Sequence, residues 1–86
     1  MEIYPKVKSV KPLQDKKLLV TFQNDIQKIY DCSGLLNDKY FSSLADEVLF
    51  NSVKTDLGGY GISWNDEMDL SESELWMHGI TPEQVA

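Results

Sequence analysis

Arginine is absent from this sequence of 86 residues, and cysteine and histidine occur once each. Arginine is the usual bidentate partner of phosphate groups and of guanine. Basic side chains supply most of the non-specific affinity for nucleic acid, so the lack of arginine and the net charge of −6 argue against a nucleic-acid partner. The lone Cys32 cannot form an internal disulfide, which favours a cytoplasmic protein.

Long apolar segments are also missing. No run approaches the roughly 18–20 apolar residues that a membrane span requires, and the N-terminal MEIYPKVKS lacks the apolar stretch of a signal peptide. We therefore expect no membrane association. The length predicts a single domain over residues 1–80, followed by a tail over 81–86 that begins a frayed helix at Thr81-Pro82.

The sequence contains no recognisable set of catalytic, metal-binding or cofactor-binding residues. Cys32 ends a predicted strand and is expected to be a small buried residue, and His78 is expected on the surface near a helix C-terminus. The acids around Asp69 do not form a calcium loop, because Leu70 stands where the mid-loop glycine is required. Gly58-Gly59 lies between strand-like runs rather than before a helix, so no phosphate loop is predicted. We therefore expect a protein that is not an enzyme and holds no cofactor.

The N-terminal half predicts a meander of three antiparallel strands. The strands are predicted over residues 3–13, 18–22 and 26–32, because β-favouring and apolar residues concentrate there and polar turns separate them. Asn24 and Asp25 form the second turn, since both residue types tolerate left-handed backbone.

Residues 35–50 predict a helical crossover that lies on one face of the sheet. Leu44, Val48 and Leu49 recur at a spacing of three to four residues and would form an apolar stripe. Asp46 is well placed to cap a helical turn that runs through Phe50.

The C-terminal half predicts a hairpin and then a helix. Residues 53–56 and 60–64 flank Gly58-Gly59, whose positive φ suits a tight hairpin turn, and residues 68–70 predict a brief extended segment. Ser71 and Glu74 have the spacing of a capping box, and Gly79 is expected to end the helix. The predicted fold class is therefore α+β: a small antiparallel sheet with short helices at the crossover and the C-terminus.

An ordered set of short motifs resembles the bacterial domain-of-unknown-function 2442 family. The resemblance rests on Pro5, Val7, Leu19-Val20, Phe22, Tyr30-Asp31, Leu35-Leu36, Phe41, Leu44-Ala45-Asp46, Leu49-Phe50, Val53, Ile62-Ser63-Trp64, Asp69-Leu70 and Leu75. It spans residues 3–76 and implies a small α+β domain with no established activity. Some relatives are similar to fusions with a helix-turn-helix, and others resemble stand-alone products encoded beside another small protein, in a toxin–antitoxin-like arrangement.

The unequal distribution of charge favours a protein-interaction module. Residues 1–40 carry seven lysines against five acids, whereas residues 41–86 carry one lysine against nine acids, for net charges of +2 and −8. We expect a non-catalytic domain that binds a protein partner, or itself, through a sheet edge or the acidic C-terminal face. The candidate contact residues are Trp76, Glu72, Asp69 and Glu67, with Trp76 balanced between core and interface and Trp64 expected in the core.

Two other functions stay open. A small enzyme or ligand-binding domain would need a pocket that gathers Asp31, Asp56, Tyr30 or His78. A regulator that contacts DNA would need a basic stripe, and Lys6 and Lys8 lie on one strand face. However, lysines on an exposed strand also protect it against aggregation, and this second explanation is favoured.

Overall fold

The computed structural model describes residues 4–65 and 68–82. Within this part of the chain, strands and α-helices follow one another as β1 Val7–Pro12, β2 Lys17–Phe22, β3 Gln27–Asp31, α1 Glu47–Phe50, β4 Lys54–Thr55, β5 Gly61–Ser63, β6 Asp69–Ser71 and α2 Glu72–His78. Short 3-10 helices occupy Gln14–Lys16, Ser33–Asn37, Ser42–Ala45 and Leu57–Gly59.

The predicted meander is confirmed as an antiparallel sheet in the order β1-β2-β3. β2 alternates strictly, so that Leu18, Val20 and Phe22 are buried while the residues between them are half-exposed. In the turn before β3, Asp25 adopts a φ of +68°, and the Asn24 side chain accepts a hydrogen bond from the Ile26 amide. The turn therefore forms where predicted, with left-handed backbone at Asp25 and not at Asn24.

The crossover is more broken than its apolar spacing predicts. Two 3-10 helices precede α1, which is a single turn capped by Asp46 through a 3.0 Å hydrogen bond from the Val48 amide. The predicted stripe is wrong at Val48, which is 80% exposed, although Leu44 is fully buried. Leu44 and Val48 belong to different helical segments, so four-residue spacing does not place them on one face.

The predicted C-terminal hairpin is part of a second antiparallel sheet, in the order β4-β5-β6. Its turn uses Gly58 and Gly59 at φ of +84° and +78°. The extended segment predicted around Leu70 forms the full strand β6, in which Leu70 pairs with Ile62. Buried Met68 and Leu70 alternate with exposed Asp69, so the sequence carried the signal for this strand.

Helix α2 begins and ends where the sequence predicts, but the contacts at each end differ from those expected. The Ser71 hydroxyl accepts a hydrogen bond from the Glu74 amide at 3.2 Å, while the Glu74 carboxylate accepts one from the Tyr30 hydroxyl instead of reaching back to Ser71. Gly79 has an extended backbone, with φ −75° and ψ 155°. Glycine is required there because a Cβ would lie 2.5 Å from the Leu75 carbonyl oxygen and 3.0 Å from the Lys28 Cβ.

The core lies where the two sheets and α2 meet. β1 packs beside β4 and β5, and α2 contacts β3 of the first sheet and β5 and β6 of the second. Trp64 is buried, as predicted, and its indole N–H donates to the Phe50 carbonyl at 3.1 Å. Among the described residues, the largest fully buried side chains are Val7, Leu18, Val20, Phe22, Cys32, Leu44, Phe50, Ile62 and Leu75.

Candidate functional site

The outer edge of β6 is the feature closest to the predicted interaction surface. The Met68 carbonyl accepts from the Trp64 amide and the Tyr60 carbonyl accepts from the Glu72 amide. Because bonding alternates along an antiparallel strand, the backbone groups of Asp69 face away from β5. Within residues 4–65 and 68–82, no backbone hydrogen bond reaches this outer edge. β6 therefore presents an unpaired donor and acceptor, of the kind that accepts an added strand.

Asp69 is the candidate contact residue that this edge presents to solvent. Its side chain is exposed, whereas Leu70 beside it points into the core. Two further acids, Asp66 and Glu67, precede it in the sequence. Candidate Glu67 lies outside the described residues.

Glu72 is a candidate that the fold itself uses. Its Oε1 lies 3.1 Å from the Lys6 ammonium, and its side chain is only 18% exposed. The same ammonium lies 4.4 Å from the centre of the Tyr60 ring. The positive charge of Lys6, directly before β1, therefore offsets the negative charge of Glu72, at the start of α2. Glu72 thus contributes less negative charge to a partner-binding surface than its sequence position indicates. Sequence reasoning missed this contact because Lys6 and Glu72 are 66 residues apart.

Trp76 is half-buried and packs against the core. Its ring meets Phe22 edge-on, with 5.1 Å between ring centres. The Lys28 ammonium lies 4.0 Å from the ring centre and donates to the Trp76 carbonyl at 2.5 Å. The indole thus contacts both an aromatic ring and a cation of the first sheet. The main observed role of Trp76 is therefore to join α2 to that sheet.

The polar residues considered for a reaction site are only partly brought together. The Tyr30 hydroxyl donates to Glu74 Oε2 at 2.7 Å, and His78 Nδ1 lies 3.4 Å from the same oxygen. Asp31 accepts from the Ser33 amide instead, which lowers the pKa of that carboxyl. Asp56 accepts from the Ser63 hydroxyl at 2.7 Å on the other sheet.

A shallow groove of about 460 Å³ is lined by Asp25, Ile26, Gln27, Thr81 and Pro82. Tyr30, Glu74 and His78 are not among these lining residues. Cys32 is fully buried, and burial raises the pKa of its thiol to about 12. Among the described residues, no three metal-ligating side chains lie close enough together to hold a metal ion.

Replacing Tyr30 with phenylalanine tests the Tyr30–Glu74 contact through its pH dependence. The pKa of Tyr30 is raised above its ordinary value of 10.0. Burial is the largest cause, and the hydrogen bond to Glu74 and the negative charge of Glu74 add to it. As pH rises above 10, the folded chain therefore keeps the Tyr30 proton while the unfolded chain releases it. The contribution of Tyr30 to the free energy of unfolding is thus complete below pH 10 and is lost as pH rises further. At pH 7, Tyr30→Phe should lower the free energy of unfolding by about 1 kcal/mol.

Urea unfolding at a series of pH values measures this difference. Above pH 10 the gap between the wild type and Tyr30→Phe should narrow, because only the wild type loses the tyrosine contribution. Cys32 also has a raised pKa, but it is present in both chains, so its contribution to the pH dependence cancels in the difference between them. A gap that stays constant through the alkaline range would show that Tyr30 is not held protonated by the fold.

None of the helices formed by residues 4–65 and 68–82 has the length and apolarity needed to cross a membrane. Comparisons with curated proteins and with solved structures give no match. A family profile described as "Protein of unknown function (DUF2442)" matches residues 7–81, a range that includes the strands of both sheets and both α-helices of the described part of the chain. The meander, the crossover, the second sheet and the capped helix thus all lie within the matched region, and the chain belongs to the DUF2442 family.

Proposed function

We propose that this chain is a non-catalytic, cytoplasmic protein-interaction module that binds a basic, extended segment of a protein partner along the outer edge of β6. The observation that carries the proposal is the backbone of Asp69, which no backbone group of residues 4–65 and 68–82 pairs on its outer side, beside an exposed carboxylate. An added strand would gain main-chain hydrogen bonds there, and these supply affinity in strand-addition complexes. The small product of a neighbouring gene is the first partner to test.

The charge of the C-terminal half supports a basic partner rather than a second copy. Residues 41–86 carry a net charge of −8, and the exposed part of β6 adds no lysine to offset it. Pairing two β6 edges would bring two Asp69 side chains and the neighbouring acids of both copies together, and like charges across paired strands destabilise them. Lysine or arginine at alternate positions of a partner strand would instead face Asp69, with an association rate that falls as salt is added.

Affinity capture from host cells with matched baits tests the proposal. Asp69→Pro removes the outward-facing donor and the charge while leaving the bonds to β5, since proline is tolerated on edge strands. Asp69→Asn removes the charge alone. Asp15→Asn is the matched control, because Asp15 is exposed in a turn at φ +62° and asparagine tolerates that conformation.

The wild type and Asp15→Asn should capture the same basic protein, Asp69→Asn should retain it more weakly, and Asp69→Pro should lose it. We expect the charge removal to weaken binding roughly three- to tenfold at low salt, for a loss of about 1 kcal/mol. Circular dichroism of each bait confirms that it is folded. Undiminished capture by folded Asp69→Pro would place the contact elsewhere, and capture of an acidic partner would contradict the charge argument.

A further inference from the structure

The edge of β3 differs from that of β6 because the chain covers it with its own C-terminal residues. The Ile26 carbonyl accepts from the Phe22 amide, and the Cys32 amide donates to the Lys16 carbonyl. By alternation, the backbone groups of Gln27 and Ile29 face away from β2. Ile29 exchanges two backbone hydrogen bonds with Ile80, at 2.8 and 3.0 Å. We call residues 79–82 the C-terminal strap.

The strap covers only the middle of this edge. The antiparallel Ile29–Ile80 pair would continue with Gln27 opposite Pro82, but proline has no amide hydrogen to donate. On the other side the chain is already helical, up to His78. A shallow groove lined by Ile26 and Pro82, among others, remains beside the strap. The side chain of Ile26 is 41% exposed, and that of Ile80 in the strap is 46% exposed.

The sequence of β3 is complementary to itself in the antiparallel direction. With Ile29 of one copy opposite Ile29 of another, Gln27 would face Asp31 and Lys28 would face Tyr30, so no like charges would be paired. The contact would be isologous, as in most symmetric dimers. This contact would also use the outward-facing amide and carbonyl of Ile29, which now form hydrogen bonds with Ile80.

We propose that the C-terminal strap guards the β3 edge against a second copy of this chain, and that lifting the strap produces a symmetric dimer joined through two β3 strands. Gly79 packs so closely on Lys28 that a Cβ on Gly79 would lie 3.0 Å from the Lys28 Cβ. This contact, directly after α2, holds the strap in register on β3. This proposal does not depend on binding at β6, because the two edges belong to different sheets.

Two substitutions at position 80 separate the backbone of the strap from its side chain. Ile80→Pro removes the amide that donates to the Ile29 carbonyl, whereas Ile80→Ala keeps both backbone bonds and trims only the side chain. Sedimentation equilibrium should find the wild type and Ile80→Ala mainly monomeric. Ile80→Pro should dimerise with a dissociation constant about tenfold lower, since one of the two backbone hydrogen bonds that compete for Ile29 is removed.

A second variant identifies the dimer contact. Adding Gln27→Pro to Ile80→Pro removes an outward-facing amide of β3 without removing a backbone bond to β2, and should return the chain to a monomer. It also removes the 3.2 Å side-chain hydrogen bond from Gln27 to the Thr21 hydroxyl. If Ile80→Pro fails to fold, a chain that ends at His78 provides the same test. The proposal is overturned if a folded strap variant stays monomeric across the concentration range, or if Gln27→Pro leaves the dimer intact.

Discussion

Replacing Phe22 with alanine is expected to lower the free energy of unfolding by about 4 kcal/mol. Phe22 is fully buried at the end of β2, and its ring packs edge-on against Trp76 of α2. Truncation removes the transfer free energy of the ring and leaves a cavity between the first sheet and the helix, where the surrounding side chains relax only partly. The aromatic pair is lost as well.

The effect should be a large share of the stability of the protein. A domain of this length is stable by roughly 4–13 kcal/mol, so Phe22→Ala should unfold at a much lower urea concentration than the wild type. Leu57→Ala is the matched control, because Leu57 is 100% exposed, and it should shift the midpoint little. Equal midpoints for the two variants would show that the ring of Phe22 does not join α2 to the sheet.

Replacing Gly61 with alanine is the second change with a large expected effect. Gly61 opens β5 opposite Ser71. A Cβ at this position would lie 2.1 Å from the Leu70 carbonyl oxygen and 3.1 Å from the Ser71 Cα. These are backbone atoms of the neighbouring strand, so β6 itself must move. We expect a loss of about 3 kcal/mol, at the upper end of the cost of overpacking, together with loss of partner binding at β6.

Gly34 provides the control for this substitution. A Cβ added there would meet no atom within 4 Å, and alanine reduces the conformational entropy of the unfolded chain. Gly34→Ala should therefore leave stability unchanged or raise it by up to about 1 kcal/mol. Thermal unfolding of both variants measures the difference. Similar melting temperatures for Gly61→Ala and the wild type would contradict the close packing of β5 and β6.

The parts of the fold that could be predicted from sequence are those governed by local rules. Alternation in β2, left-handed backbone at Asp25 and the hydroxyl cap at Ser71 each depend on a residue and its immediate neighbours. The α+β class and the order of elements followed from these signals. The stripe through Val48 failed because periodicity does not show where one helical turn stops and another starts.

The residues of the candidate site were harder to place, because their surroundings come from distant parts of the chain. The Glu74 carboxylate bonds to Tyr30 of β3 rather than to its own helix cap. Glu72 pairs with Lys6, and Trp76 lies between Phe22 and Lys28. Sequence alone predicts that Glu72 and Trp76 lie with Asp69 and Glu67 on one contact surface. Tertiary contacts instead leave Asp69 as the described candidate whose charge is presented to solvent.

Amide hydrogen exchange of this chain with and without the captured partner tests the central claim most directly. If a partner strand adds to β6, the amide of Asp69, which faces outward, should become protected on binding, and the amide of Leu70, already bonded to β5, should change little. That alternation would report a strand at this edge rather than a general stabilisation of the domain. Unchanged exchange at Asp69, with new protection confined to other elements, would contradict the account.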